Sequence, residues 1–444
     1  MKALLERTSF QLSGSIKGML FLFVAIGAVA FIVGLLSGHP EKAWQALLIN
    51  TVFFGSISFG GLAFSLIWTI TDAKWSRPLK RFAEATFAFV PVLGVLYIIL
   101  FFGSEHFFEW YDHDNVIHSK AGWLNMGFFV KRNIFMFLLS MGLGWVYIKR
   151  SLRPDIGLAK SLTGFSNPFA DRIVKNYGSQ EEEQEKTFMG NHYLAPTVAF
   201  CLVLFTSVIA FDWMMSIDQE WFSTMFGVQY LVASLIAGGC FIAIVAGFAK
   251  TKLGLEDYIS TVRYHDIVKF IFAFCLLWTY MCFSQVITIW YGNLPEETPF
   301  LILRMMSHEW GWMFWLIMVM MFVIPYFGLM PRTVCNSVWA SRILAIEILC
   351  GLWLEKFFLI VPSMQENAVA EQLRNGAAHG AHGSGHAMAG GPVGLPGFEY
   401  NLYDFALTLG LGGAFLLCYF WFLSRVPVLP ISDKHFFKDP SAHH

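Results

Sequence analysis

The chain has 444 residues, of which 56% are hydrophobic and 14% charged, with a net charge of −1. A water-soluble protein of this size carries nearer a quarter charged residues to cover its surface, so the composition excludes a soluble globular class. Nothing in the charge balance points to nucleic acid, and none is expected as a partner.

Ten apolar stretches follow one another at roughly 16–36, 44–71, 82–103, 128–148, 193–216, 222–249, 266–291, 308–330, 339–361 and 402–424. Each exceeds the ~20 residues needed to cross the hydrocarbon core. Backbone amides in lipid must be bonded within their own segment, so these stretches are helices. The expected fold is an all-α polytopic membrane protein with ten transmembrane helices. The first stretch, Ile16–Leu36, is too long for a signal-peptide core and lacks a small-x-small site at its end, so no cleavable signal is expected.

Orientation follows from the basic residues. The N-terminus, the connections after helices 2, 4, 6 and 8 with their flanks, and the C-terminus hold 23 of the 30 Lys and Arg. The positive-inside rule then places both termini in the cytoplasm. Clusters such as Lys74, Arg77, Lys80, Arg81 and Lys149, Arg150, Arg153 carry the asymmetry.

Ionisable groups at membrane depth are expensive and default to function. In chain order, Asp72 closes helix 2 and Glu84 lies in the first turn of helix 3, where the helix dipole favours an acid. The loop 104–127 is rich in Glu, Asp, His and aromatics. Its Asp112-His113-Asp114 is a metal-like triplet, but an acidic, aromatic docking surface is the expectation. The cytoplasmic connection 150–191 contains Gly164–Pro168 and the acidic run Glu181–Glu183. Asp212 ends helix 5. Helix 7 opens with His265 and Asp266, and Asp266 can pair with Lys269 at i+3. Further along, Tyr280, Ser284, Thr288 and Tyr291 form a hydroxyl stripe, read either as part of a proton path or as helix–helix adhesion. His308 and Glu309 open helix 8.

Helix 9 supplies the clearest case. Glu347 lies about nine residues from the cytoplasmic end, roughly 13 Å in, near mid-bilayer. Glu355 follows eight residues later, where an interfacial salt bridge is the alternative to a functional role, and Lys356 reads as a snorkelling anchor. By depth, Glu84, His265 and Asp266 sit inward, Glu347 centrally, and Glu355, Asp212, His308 and Glu309 outward. That ladder suggests a proton route, with Asp72, Tyr280, Ser284 and Thr288 as further members.

Cofactors within this chain are not expected. His192, His265 and His308 lie near span ends, unsuited to a transmembrane haem. The seven cysteines include no CxxC or CxxCH and read as small apolar packing residues. A loop at 363–399 holds His379, His382 and His386 among small residues that fix no metal geometry.

Several segments carry a family resemblance. They are Trp75–Glu84, Phe211–Val228, Tyr264–Asp266 and Phe283–Glu297. Together they resemble the NrfD/polysulfide-reductase-like membrane subunits, most closely the ActF-type subunit of bacterial alternative complex III. The resemblance implies helices 2–5 and 6–9 as two four-helix bundles, with helices 1 and 10 outside them. The corresponding regions are 1–43, a peripheral helix; 44–216, the first bundle; 217–362, the second bundle; 363–399, the His/Gly-rich periplasmic loop; and 400–444, the last helix and cytoplasmic tail. The resemblance further implies a quinol:cytochrome c oxidoreductase (or one with another periplasmic acceptor) in the bacterial inner membrane. There quinol or menaquinol is oxidised, and haem c and iron–sulfur clusters sit in partner subunits. Those partners are a sister NrfD-like subunit, an iron–sulfur subunit, haem c subunits and a terminal oxidase, surrounded by lipids. A quinol-binding anchor of a related oxidoreductase and a secondary transporter stand as alternatives, although no pair of Gly/Pro-broken helices in matching positions marks a transporter.

Overall fold

Helix starts fall where short polar side chains can take up the free backbone amides. In the computed structural model, which describes residues 11–38, 40–380 and 402–433, Ser13, Asn125, Ser179 and Ser260 each accept a hydrogen bond from an amide of the first turn. The long helices are α1 (Gly14–Leu36), α2 (Pro40–Ile70), α3 (Arg77–Phe102, with 3-10 turns in its first half), α4 (Met126–Thr163), α5 (Gln180–Trp213), α6 (Met225–Lys252), α7 (Thr261–Gly292), α8 (Gly311–Leu329), α9 (Val338–Gly380) and α10 (Leu402–Leu423). No strand occurs among the described residues. Nine of these helices, α1–α8 and α10, are each long and apolar enough to cross a membrane. Helix α9, the longest, carries Glu347, Glu355 and Lys356 along its length. The chain is an all-α polytopic membrane protein.

Helix α2 is apolar on every side and occupies the middle, with α6 crossing it. The crossing is close because both helices lack a side chain there. A Cβ on Gly60 would fall 1.7 Å from the Ser234 carbonyl oxygen, and one on Gly238 would fall 2.4 Å from the Gly60 carbonyl carbon. Around this pair, α3, α5, α9 and α10 pack on α2, while α5, α7 and α9 pack on α6; α4 lies along α5. Helices α1 and α10 form a pair through Gly27 and Gly410, where a Cβ on either would lie 2.7 Å from the other's Cα. The outward face of α1 remains apolar, with Phe21, Leu22 and Val29 exposed. The node that ties α10 and α9 to α2 is polar: Asn50 Oδ1 accepts from Trp353 Nε1 at 3.0 Å and from Thr408 Oγ1 at 2.7 Å.

Two connections differ from the sequence expectation. The segment 150–191 is mostly helical, because α4 runs to Thr163 and α5 begins at Gln180. Gly164 ends α4 in the left-handed region at φ 68°, and the run Glu181–Glu183 occupies the first turn of α5, where the helix dipole favours acids. A short helix, Pro168–Ile173, lies between them, and Asp171 accepts hydrogen bonds from Lys160 at 2.7 Å and Ser166 at 2.6 Å. These bonds, Lys160 first, hold the Asp171 carboxyl below its usual range. The second difference concerns residues 363–399, expected as a loop: the backbone of α9 continues helical through Pro362 to Gly380. His382 and His386 lie outside the described residues.

The loop 104–127 is less a free surface than expected. It packs down in short 3-10 turns, with Phe107, Phe108 and Trp110 buried. Trp110 Nε1 donates to the Ser216 carbonyl at 2.9 Å, and Lys120 donates to the Gln219 carbonyl.

Candidate functional site

Three groups of buried charges stand out among the described residues. The first lies where α2, α3, α4 and the residues after α10 meet. Arg81, 1% exposed, donates to the carboxylates of Glu84 and Asp155 and to the Ser151 carbonyl at 2.7 Å. Ser151 Oγ donates to Glu84 Oε1 at 2.7 Å, and Ser65 Oγ reaches the same oxygen at 3.4 Å. Tyr147 joins Ser65 and Thr69, with its hydroxyl 3.0 and 2.6 Å from theirs. The segment after α10 closes over this group: the Ser432 amide donates to Asp155 Oδ1 at 2.8 Å, and Arg77 pairs with both Asp72 and Asp433. A polar vestibule of about 1630 Å³, its open mouth included, leads to Arg81, Asp72 and His192. Glu84 is therefore held by Arg81 and hydroxyls rather than by a helix dipole.

The second group lies at the opposite end of α4 and α5. The Arg132 guanidinium grips Asp212 with two bonds, Nε to Oδ2 at 2.8 Å and Nη2 to Oδ1 at 2.7 Å. Asn133 Nδ2 donates to Oδ2 at 2.6 Å and Trp123 Nε1 to Oδ1 at 3.2 Å. Arg132 also stacks on Trp123, 3.8 Å from its ring centroid. Every lone pair of Asp212 is spoken for, so this carboxylate is a clamp between α4 and α5.

The third group lies among α6–α9. Glu355 Oε1 accepts from Trp278 Nε1 at 2.9 Å, and Oε2 pairs with Lys356. Both charges are buried, 3% and 1% exposed. Lys356 is thus not a snorkelling anchor; it lies over the Tyr230 ring at 5.2 Å, inside the protein, because the neighbouring carboxylate holds it there. Above this pair opens a largely apolar cavity of about 630 Å³, mouth included, with Gln229, Gln285, Arg304 and Trp221 on its walls. Gln285 donates to Gln229 Oε1, and Gln229 Nε2 to Cys282 Sγ at 3.2 Å.

Glu347 stands apart. Both of its carboxylate oxygens are buried and neither has a hydrogen-bond partner. It lies within electrostatic range of the buried thiols of Cys240 on α6 and Cys275 on α7. Glu84, Asp212 and Glu355 each have a cation locked against them. Glu347 does not, and a carboxyl without a fixed partner is the one that can exchange a proton with any water or group that reaches it.

The remaining members of the expected ladder are peripheral. Asp266 and Lys269 form the anticipated i, i+3 pair at 3.6 Å at the start of α7, beside a partly exposed His265. Tyr280 is 62% exposed, Thr288 is exposed and spends its hydroxyl on the Ser284 carbonyl at 2.6 Å, and Tyr291 is 82% exposed. The hydroxyl stripe therefore faces out of the protein, and Ser284 does not join the buried groups. The side chain of His308 is fully exposed, and Glu309 lies 3.9 Å from it. Sequence reasoning missed Asp155, Arg132, Asn133 and Arg304. Asp155 was hidden because α4 was expected to stop at 148, whereas Arg132 and Arg304 could have been sought as the cations that buried acids require.

No family model matches the chain. A stretch of 70 residues, 15% of this chain, is 36% identical to an MFS-type efflux transporter, phmH, of Phaeosphaeria nodorum (strain SN15), and covers 12% of that relative's length.

Proposed function

We propose that the protein is an integral subunit of a respiratory quinol:cytochrome c oxidoreductase of the alternative complex III type (or one with another periplasmic acceptor), in a bacterial inner membrane with both termini cytoplasmic. One observation carries this reading. Of the segments that bear the resemblance, two, 211–228 and 283–297, meet at the cavity among α6–α9, where Trp221, Phe226, Gln285, Val286 and Ile289 are neighbours. The segment 211–228 also contributes Asp212, gripped by Arg132, and Ser216, the acceptor of Trp110. The segments that resemble the family thus include residues that build buried polar structure.

In this reading electrons travel through haem c and iron–sulfur clusters of partner subunits, and quinol is oxidised beside them. This chain contributes a rigid frame, centred on the α2–α6 crossing, and one exchangeable carboxyl, Glu347. The Arg81 and Arg132 networks fix the frame at its two ends, and the vestibule brings water to one of them. The test is purification of the tagged full chain from its native membrane in mild detergent. Haem c and iron should co-purify in fixed ratio. A solitary, haem-free protein would overturn the reading.

Secondary transport is the second reading, favoured by the 70-residue similarity to the efflux transporter. It accounts equally for a mid-membrane carboxylate. The same purification separates the two, since a transporter would leave the membrane without redox partners.

A further inference from the structure

Where α6 ends and α7 and α9 begin, two cations lack the carboxylate that holds Arg81, Arg132 and Lys356. Lys250, 8% exposed, bonds only the Thr261 hydroxyl, 3.4 Å away, among the described residues. Glu256 lies within electrostatic range of it but forms no ion pair with it. The partly buried Arg342 donates through Nε to the Val338 carbonyl at 3.2 Å, and its two Nη groups meet no acceptor among the described residues. The packing brings both cations to one corner. Gly247 of α6 makes room for Arg342, since a Cβ there would fall 3.0 Å from Arg342 Cδ. The guanidinium then lies over the Phe248 ring, 4.5 Å from its centroid. Lys250 stands one turn beyond Gly247 on α6, and Thr261, which it touches, stands one turn before Tyr264 on α7. The buried Tyr264 hydroxyl has no hydrogen-bond partner and lies within electrostatic range of Arg342. A buried ammonium without a counter-charge is costly, so its persistence calls for an anion from outside the chain.

We infer that this corner binds the phosphate group of an acidic phospholipid, with Lys250 and Arg342 sharing its negative charge. The source follows from the surroundings. Trp339, 69% exposed at the start of α9, marks the level of the lipid headgroups, where amphipathic aromatic rings concentrate. Phe248, Val262 and Ile346 expose apolar side chains beside the cations, Ile346 one turn deeper than Arg342 on the same face of α9. A free phosphate would offer Lys250 and Arg342 the same oxygens but no acyl chains to cover these side chains. The local charge has the sign an anionic headgroup needs: residues 249–270 and 332–342 hold six Lys and Arg against three Asp and Glu. Basic pockets between helix ends on the cytoplasmic side are suited to such headgroups. The proposed function supplies only the side of the membrane, the inner leaflet.

The experiment titrates the full chain in detergent with phosphatidylglycerol or phosphatidylcholine and reads bound lipid by native mass spectrometry. The unaltered protein should hold phosphatidylglycerol the more tightly. Lys250→Gln and Arg342→Gln should each weaken it roughly fivefold, the factor for one cation near an anionic membrane surface, at unchanged elution volume. Arg342→Lys, which keeps the charge, should retain most of the affinity. Lys269→Gln removes an equal charge at the same end, one already paired with Asp266 at 3.6 Å, and should change nothing. Equal affinity for the two lipids, or an equal loss in Lys269→Gln, overturns the inference. So does displacement of the lipid by inorganic phosphate, which would make this a site for a soluble anion. Should either Gln variant aggregate, the comparison of the two lipids on the unaltered protein still decides. Selective binding by a chain that purifies without haem or iron would sink the proposed function and leave this inference standing.

Discussion

Gly60 and Gly238 meet backbone to backbone where α2 crosses α6, with no room for even a methyl group between them. Helices α2 and α6 touch backbone to backbone at this point, so a side chain here must push them apart. Overpacking of a tight interface costs roughly 1–3 kcal/mol. Gly60→Ala and Gly238→Ala should lower the thermal midpoint in detergent, whereas Gly142→Ala, with nothing within 4 Å, should leave it in place. Equal midpoints for all three would remove the crossing as the structural centre.

Arg132 and Asp212 make a sharp stability prediction. Arg132→Ala strands a carboxylate that is 0% exposed, and breaking a buried pair from one side costs roughly 3–5 kcal/mol. The double variant Arg132→Met, Asp212→Leu should recover part of that loss, but not all, since Asn133 and Trp123 also bond Asp212. A double variant no more stable than Arg132→Ala would argue that Asp212 is more than a clamp.

At the second pair the same logic reverses a sequence-based expectation. A Glu355 at the interface would tolerate Gln with little effect, but in the structure Gln would leave the buried Lys356 ammonium without its counter-charge. Glu355→Gln should therefore reduce the yield of folded protein more than Glu347→Gln does, and Lys356→Met introduced beside it should restore yield. Size-exclusion recovery from membranes reads both.

The outward hydroxyls should be dispensable within this chain. Tyr280→Phe and Thr288→Val alter groups on the exterior of α7 and should leave folding and any proton-linked turnover of the complex unchanged. A loss of proton movement would place the route along the outside of α7, against a partner.

Much of the fold was legible because lipid imposes a simple rule: a segment without internal backbone bonding cannot cross, so length and apolarity mark the helices. What sequence could not supply was azimuth. Glu355 and Glu347 share a helix and lie eight residues apart, yet one is bonded to Trp278 and Lys356 and the other to nothing. Periodicity assigns a face to each residue but not the side chain opposite, and that neighbour decides whether an acid is a clamp or a free carboxyl. The Arg81–Asp155–Ser432 contact illustrates the limit, since its two bonds join residues 74 and 277 apart through a segment read as a loop.

Glu347 is where the account stands or falls. The complex reconstituted into vesicles, with Glu347→Gln as its single change, should assemble with its full complement of haem and oxidise quinol, yet move few or no protons per electron. Gln keeps the size of the side chain and cannot release a proton. Proton movement equal to that of the unaltered complex, at equal turnover, would contradict the account and leave the chain a scaffold.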